Sequence, residues 1–259
     1  MPFGSEIALT PGLSIFERWY IRIFGVPILG LRIRARTILP LLKKVGTPRR
    51  ILDAGSGRGI MTMECAKKFP QSKVIGADLL KQQNEINNLI ARQLNIDNVQ
   101  FMTWNVLDLH PTERFDVVIS SDTLEHLEDD LGGVRMLRDT LNPGGYLIVH
   151  VPHLTRNLFG WHRQNWMDIE GHVRPGYTRA SLIELLEAGG MKVIQCIYNY
   201  NSLETLANDV SKLITGAKER NRAIYALFFP FLLLIAWVGK LYRPKNDGSG
   251  LVALAIRKD

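Results

Sequence analysis

Asp53 stands directly before Ala54-Gly55-Ser56-Gly57, and Asp78 lies nineteen residues beyond Gly59. Gly55, Gly57 and Gly59 alternate, which suits a turn that needs positive φ and lets a ligand approach the backbone with no Cβ in the way. The spacing is G-x-G-x-G, with Ile60 standing where a dinucleotide fingerprint has its third glycine. Asp53 before the turn would repel a pyrophosphate and suits a ligand with a positive end. Asp78 closes the apolar run Lys73–Ala77. An acid there can accept both hydroxyls of a ribose, or it can cap the helix that follows. Leu79, beside it, offers an apolar flank to a base.

A second chemistry-bearing stretch is Phe115–His126, which reads Phe-Asp-Val-Val-Ile-Ser-Ser-Asp-Thr-Leu-Glu-His, and Leu141–Val149 follows as Leu-Asn-Pro-Gly-Gly-Tyr-Leu-Ile-Val. With the glycine turn and Asp78, these stretches resemble, in order and separation over residues 50–151, the motifs of the class I S-adenosylmethionine-dependent methyltransferases. The similarity is to the type 11, ubiquinone/menaquinone-methyltransferase-like branch. The resemblance implies S-adenosyl-L-methionine as cofactor, held by Asp53, Ala54, Gly55, Ser56 and Gly57, with Asp78 on the ribose and Leu79 on the adenine. Asn105 stands where the family usually has an acid. Its amide oxygen can still accept from the adenine amino group, and Val106 follows it at the same site. Ser120 and Ser121 would face the methionine part. His126 would lie near the transfer point, either as a general base or as a structural hydrogen-bonder.

These residues need an α/β scaffold. Alternating patterns place strands at Arg50–Ala54, Lys73–Ala77, Val99–Met102, Phe115–Ser120, Gly145–Val151, Met191–Tyr198 and Leu251–Arg257. Helices fill Ile60–Lys68, Lys81–Leu94, Asp130–Leu141 and Arg179–Ala188. The expected fold is α/β: a Rossmann-like, seven-stranded, mostly parallel sheet with N-terminal helices and an apolar helical insert before the last strand. Residues 1–46 form the N-terminal basic and apolar helices, 47–200 the cofactor-binding core, 201–248 the insert and 249–259 the last strand. Residues 12–45 carry Pro27 and Gly30 and read as two short helices, either capping the sheet or touching a membrane.

With 46% hydrophobic and 22% charged residues, the 259-residue chain is a folded globular protein rather than a disordered one. Cys65 and Cys196 make neither a metal spacing nor a disulfide framework, which implies a reducing compartment. The net charge of +7 is uneven: residues 1–50 carry +7, 51–200 carry −4 and 201–245 carry +4. An acidic core between basic flanks does not suit a nucleic-acid binder. Basic, apolar flanks fit contact with an anionic membrane.

Pro152–Tyr177 is long, polar and aromatic with few obvious elements, which marks a binding loop or lid. His153, His172 and Tyr177 are the candidate substrate contacts, together with His162 as a solvated or contacting histidine. Histidine spacings of nine and ten residues give no metal geometry, and no metal is expected. Ala223–Gly239 holds no charge, is flanked by Lys218, Arg220, Arg222, Lys240, Arg243 and Lys245, and is interrupted by Pro230. Its flanking strands share one sheet, so the chain must leave and return on one side of any bilayer. It is therefore an interfacial or re-entrant segment, a lid over an apolar cavity, or a helix packed on the protein or a partner copy.

The expectation is a methyltransferase at the cytoplasmic face of a membrane, modifying oxygen or carbon of a lipid, quinone or other apolar small molecule. The alternatives are a soluble-substrate methyltransferase with the insert as lid, and a cofactor-binding scaffold without turnover. The sequence leaves the acceptor and oligomeric state open.

Overall fold

The computed structural model describes residues 2–103, 105, 114–159, 161–164, 171–215, 222–241 and 247–258, with 157 and 161–164 described as backbone only. The sheet is built from β1 (Arg50–Ala54), β2 (Lys73–Asp78), β3 (Val99–Thr103), β4 (Phe115–Ser121), β5 (Leu141–Pro152), β8 (Met191–Asn199) and β9 (Gly250–Arg257). Their order is β3-β2-β1-β4-β5-β9-β8, and β9 alone runs antiparallel to its neighbours β5 and β8. Strands covered on both faces read as continuous apolar runs; Ile51, Leu52, Val117 and Val118 are all fully buried. Register brings Ala54 level with Ala77 and with Ser120. The carboxyl ends of β1, β2 and β4 thus share one edge, where the strand order reverses and a crevice opens.

Helices cover both faces. On one side lie α5 (Asp130–Thr140) and α6 (Arg179–Ala188); on the other lie α2 (Leu29–Lys44) and α3 (Ile60–Lys68). The helix α4 (Lys81–Gln93) packs beside β3, where Asn88 exchanges side-chain hydrogen bonds with the Phe101 backbone. The N-terminal segment does form two helices, α1 (Ile15–Phe24) and α2. A capping box opens α1, with Ser14 Oγ accepting from Glu17 N–H and Glu17 Oε2 accepting from Ser14 N–H.

Three local expectations need correction. First, β5 begins at Leu141, not Gly145, because Phe115 pairs with Leu141 before the ladder shifts register. Second, the supposedly irregular Pro152–Tyr177 contains a hairpin of β6 (Thr155–Leu158) and β7 (Trp161–Gln164). Third, Pro230 does not interrupt the insert, which folds as α7 (Ser202–Thr215) and a continuous α8 (Arg222–Gly239).

The continuity of α8 has a specific cause. Proline cannot donate to the carbonyl four residues earlier, which here is Ala226. That carbonyl instead accepts the Tyr20 hydroxyl from α1 at 2.7 Å. Arg36 on α2 likewise donates to Ala236 O and to Glu204, each at 2.9 Å, tying α2 to α8 and α7. Leu29, Ile33, Ala207, Phe229, Leu232 and Ala236 form a separate small core under these helices.

Candidate active site

Gly55, Gly57 and Gly59 all adopt left-handed φ, at 85°, 49° and 72°. A Cβ on Gly55 would lie 2.4 Å from Thr123 Oγ1, so that turn demands glycine on space as well as on φ; one on Gly57 would meet nothing. The backbone at Gly57 is thus open to a ligand. Asp78 Oδ2 accepts from Gly57 N–H at 2.8 Å, and Oδ1 from Leu80 N–H at 3.0 Å. The carboxylate therefore braces both the glycine turn and the backbone of Leu80, the residue just ahead of α4. Leu79 is 65% exposed next to it.

Asp53 is buried beneath the turn and accepts from Thr62 Oγ1 at 2.6 Å. Burial pushes its carboxyl up to about 6, against the opposing pull of the Thr62 hydroxyl. Ala54 is buried, with its carbonyl accepting from Thr123 Oγ1 at 3.2 Å. The hydroxyls of Ser56, Ser120 and Ser121 are buried without a partner among the described residues. Asn105 is exposed. Val106 lies outside the described residues.

Beyond Ser121 the chain enters a charged knot. Asp122 holds a left-handed φ of 54°, a strained value for a residue with a side chain. It is 2.5 Å from Arg34 of α2 and 2.5 Å from His150 Nδ1 of β5. Burial alone would raise the Asp122 carboxyl, but the Arg34 guanidinium and the His150 ring hold it well below the usual carboxylate range. Tyr200 donates to Gly30 O at 2.8 Å, fixing the start of α2 above the knot. Glu125, two residues after Thr123, is buried; burial and the neighbouring Asp122 push its carboxyl well above the ordinary value.

A cavity of about 1200 Å³ runs over this edge, larger than a typical small-molecule site of about 300–1,000 Å³. One end is lined by Arg58, Gln83 and Asn87, and Asn87 donates to Gly57 O at 2.9 Å. The other reaches Asp122, Glu125, His126, His150 and His172. Apolar walls come from Ile7, Leu13, Phe16, Tyr20, Ile21 and Leu29. Tyr225 and Ala226 of α8 close the side facing α1.

The candidate base His126 and one candidate contact, His172, reach this cavity. Their rings meet edge to face with centroids 4.6 Å apart. Burial, then the neighbouring His126, lowers the His172 ring below its ordinary value. The candidate contacts His153 and Tyr177 are engaged elsewhere. His153 Nδ1 faces Thr155 O at 2.8 Å, and its ring packs on Tyr198. Tyr177 sits in the sheet core and donates to Asp130 Oδ2 at 2.9 Å while accepting from Arg174 at 2.8 Å. Its hydroxyl is committed to those partners, so the expectation that it points into the pocket is corrected. The side chain of His162 is not described.

A family model described as a methyltransferase domain matches residues 31–196, more than half of the chain. The chain belongs to this methyltransferase family. Among curated relatives, malonyl-[acyl-carrier protein] O-methyltransferase of Halalkalibacterium halodurans is 32% identical over 103 residues, 39% of this chain and 38% of that protein. Demethylmenaquinone methyltransferase of Deinococcus radiodurans is 30% identical over 118 residues, 44% of this chain and 48% of the relative. The chain thus spans less than half the length of either. Among solved structures, the N-methyltransferase NodS of Bradyrhizobium japonicum, in complex with S-adenosyl-L-homocysteine, superposes with a TM-score of 0.56 at 15% identity, covering 99% of this chain and 100% of that one. An O-methyltransferase of a Brevibacillus brevis polyketide multienzyme, also with S-adenosyl-L-homocysteine, gives 0.56 at 18% identity over 98% and 79%. At these identities the likeness is one of fold.

The residues present fit S-adenosylmethionine, the cofactor that the sequence resemblance implies. The open backbone at Gly57, the carboxylate of Asp78 and the orphaned hydroxyls of Ser56, Ser120 and Ser121 all lie along one edge. Arg34, Asp122, Glu125, His150 and Tyr200 escaped the sequence reading. Asp122 and Glu125 sit inside the Phe115–His126 stretch, where a charged residue just past a strand was the available signal. Arg34 and Tyr200 come from distant segments, and only the fold brings them to the edge.

Proposed function

We propose that this methyltransferase works at the cytoplasmic face of an anionic membrane and methylates oxygen or carbon of a lipid, quinone or other apolar small molecule. The observation that carries this reading is the position of the cavity between α1 and α8. These two helices wall it from inside and leave their outer sides apolar and exposed. Ile15, Trp19 and Ile23 project from α1, and Leu227, Phe228, Phe231, Leu234, Trp237 and Val238 from α8. The helix α8 is long and apolar enough to cross a bilayer, by length and composition. Its buried stripe of Tyr225, Phe229, Leu232 and Ala236 is held by the protein, so an interfacial posture fits it better than a crossing. β8 and β9, which bracket it, are neighbours in one sheet. Exposed Arg22, Arg222 and Lys240 at the helix ends, with Trp19 and Trp237, suit anionic headgroups.

The chemistry asks mainly for positioning. When bound, S-adenosylmethionine supplies a methyl group activated on a sulfonium. Arg58 of the glycine turn and Asn87, which donates to Gly57 O, mark the donor end of the cavity; the apolar walls exclude water and orient an apolar acceptor toward His126. His126, whose Nδ1 faces the Gly171 carbonyl at 2.9 Å, stands at the other end of the cavity beside Glu125 and His172. Sedimentation with vesicles tests the membrane half of this reading. Binding to phosphatidylserine-containing vesicles that weakens with salt is expected; equal absence from anionic and neutral vesicles would make the insert only a lid.

A further inference from the structure

Glu125, His126 and His172 form a cluster whose composition goes beyond what methyl transfer requires. One carboxylate oxygen of Glu125 and one ring nitrogen from each histidine lie within 4.8 Å of one another. Two imidazoles and a carboxylate are a donor set for a divalent first-row ion, with positions left for further ligands. Bonds of about 2.1 Å set neighbouring donors roughly 3–3.5 Å apart, so closing onto an ion requires the widest spacing to contract by roughly 1.5 Å.

Three independent features aim these groups inward. Glu125 is 1% exposed, yet neither carboxylate oxygen has a partner among the described residues. A carboxylate buried in that way is costly unless something fills its lone pairs. His172 Nδ1 is likewise buried without a partner. His126 Nδ1 faces the Gly171 carbonyl at 2.9 Å; a carbonyl only accepts, so Nδ1 carries the proton and Nε2 keeps its lone pair. A backbone carbonyl orienting the far nitrogen is the usual outer support of a metal-bound histidine. Gly171, at φ 84°, makes that approach: a Cβ there would lie 3.1 Å from His126 Nδ1.

The geometry points to a divalent transition-metal site of Glu125, His126 and His172 at the acceptor end of the cavity. Its open positions would take an oxygen ligand, a hydroxyl or enol of a molecule in the cavity, and lower the proton affinity of that oxygen, the proton passing to water. This narrows the acceptor to oxygen, a step that rests on the methyl-transfer reading; the metal site itself does not.

Titration of tag-free full-length protein with cobalt chloride tests it. The expected result is a saturating visible absorption from nitrogen- and oxygen-coordinated cobalt, at one ion per chain. Glu125→Gln and His172→Ala should each weaken cobalt binding at least about tenfold, with S-adenosylhomocysteine affinity by calorimetry unchanged. Cobalt binding of equal strength in both variants and the parent overturns the site, as does no saturation below about 1 mM. Loss of S-adenosylhomocysteine binding in the parent protein would instead strike the methyl-transfer reading and leave the cobalt result standing.

Discussion

Asp78 carries two backbone hydrogen bonds, and by the proposal a ribose as well, so its removal separates bracing from binding. Charge-assisted hydrogen bonds contribute about 1.5–3 kcal/mol each, and Asp78→Ala is expected to weaken S-adenosylhomocysteine roughly 10- to 100-fold. Calorimetry that returned the parent affinity would remove Asp78 from the ribose. Asp53 makes a pH prediction for the unliganded protein. Its folded value of about 6 lies above the ordinary 3.8, so between those values the folded state holds a proton that the unfolded chain has released. Its contribution to stability is therefore fully present below about pH 4 and declines as pH rises to 6, by about 3 kcal/mol at full effect. Asp53→Asn cannot titrate and keeps an acceptor for Thr62. Denaturant unfolding from pH 4 to 7 should show a flatter stability profile for this variant; parallel profiles would mean that Asp53 titrates normally.

Two elements flank the cavity, α1 and the α7–α8 insert. The Tyr20 hydroxyl stands in for the amide that Pro230 lacks. Tyr20→Phe leaves the Ala226 carbonyl without that donor, which is expected to cost about 1–3 kcal/mol. Restoring a donor within the helix by Pro230→Ala should recover part of the loss; thermal melts of the single and double variants measure both. The two faces of α8 should respond differently to substitution. Phe229 is fully buried, and Phe229→Ala should cost about 3–5 kcal/mol. Phe228, Phe231 and Leu234 are exposed, so their joint replacement by Ser should leave the melting temperature within a few degrees and reduce sedimentation with anionic vesicles several-fold. A stable triple variant that still sediments would place membrane contact elsewhere.

Across the whole molecule, the sheet was readable because its signals are local. Apolar runs ended by Asp53, Asp78 and Ser121, with glycine turns between, specify strands within a residue or two of the observed ones. The glycine turn and Asp78, which the fold brings to one sheet edge, are local signals of the same kind. The burial of Asp53 could not be read from its strand, because strand alternation does not say which face a helix will cover; α3, through Thr62, covers it. Tyr177 was misread because its partner Asp130 is 47 residues away. The continuity of α8 through Pro230 depends on Tyr20, 206 residues from the carbonyl it serves. Each of these is a long-range pairing that no window of sequence contains. The same long-range assembly sets a cofactor edge, an apolar cavity and two exposed apolar helices side by side. The most direct test is to incubate the protein with methyl-tritiated S-adenosylmethionine and a membrane extract of its source organism, then partition the products. Label in the organic phase that disappears with Asp78→Ala is the predicted result. Label confined to water-soluble products would contradict an apolar acceptor.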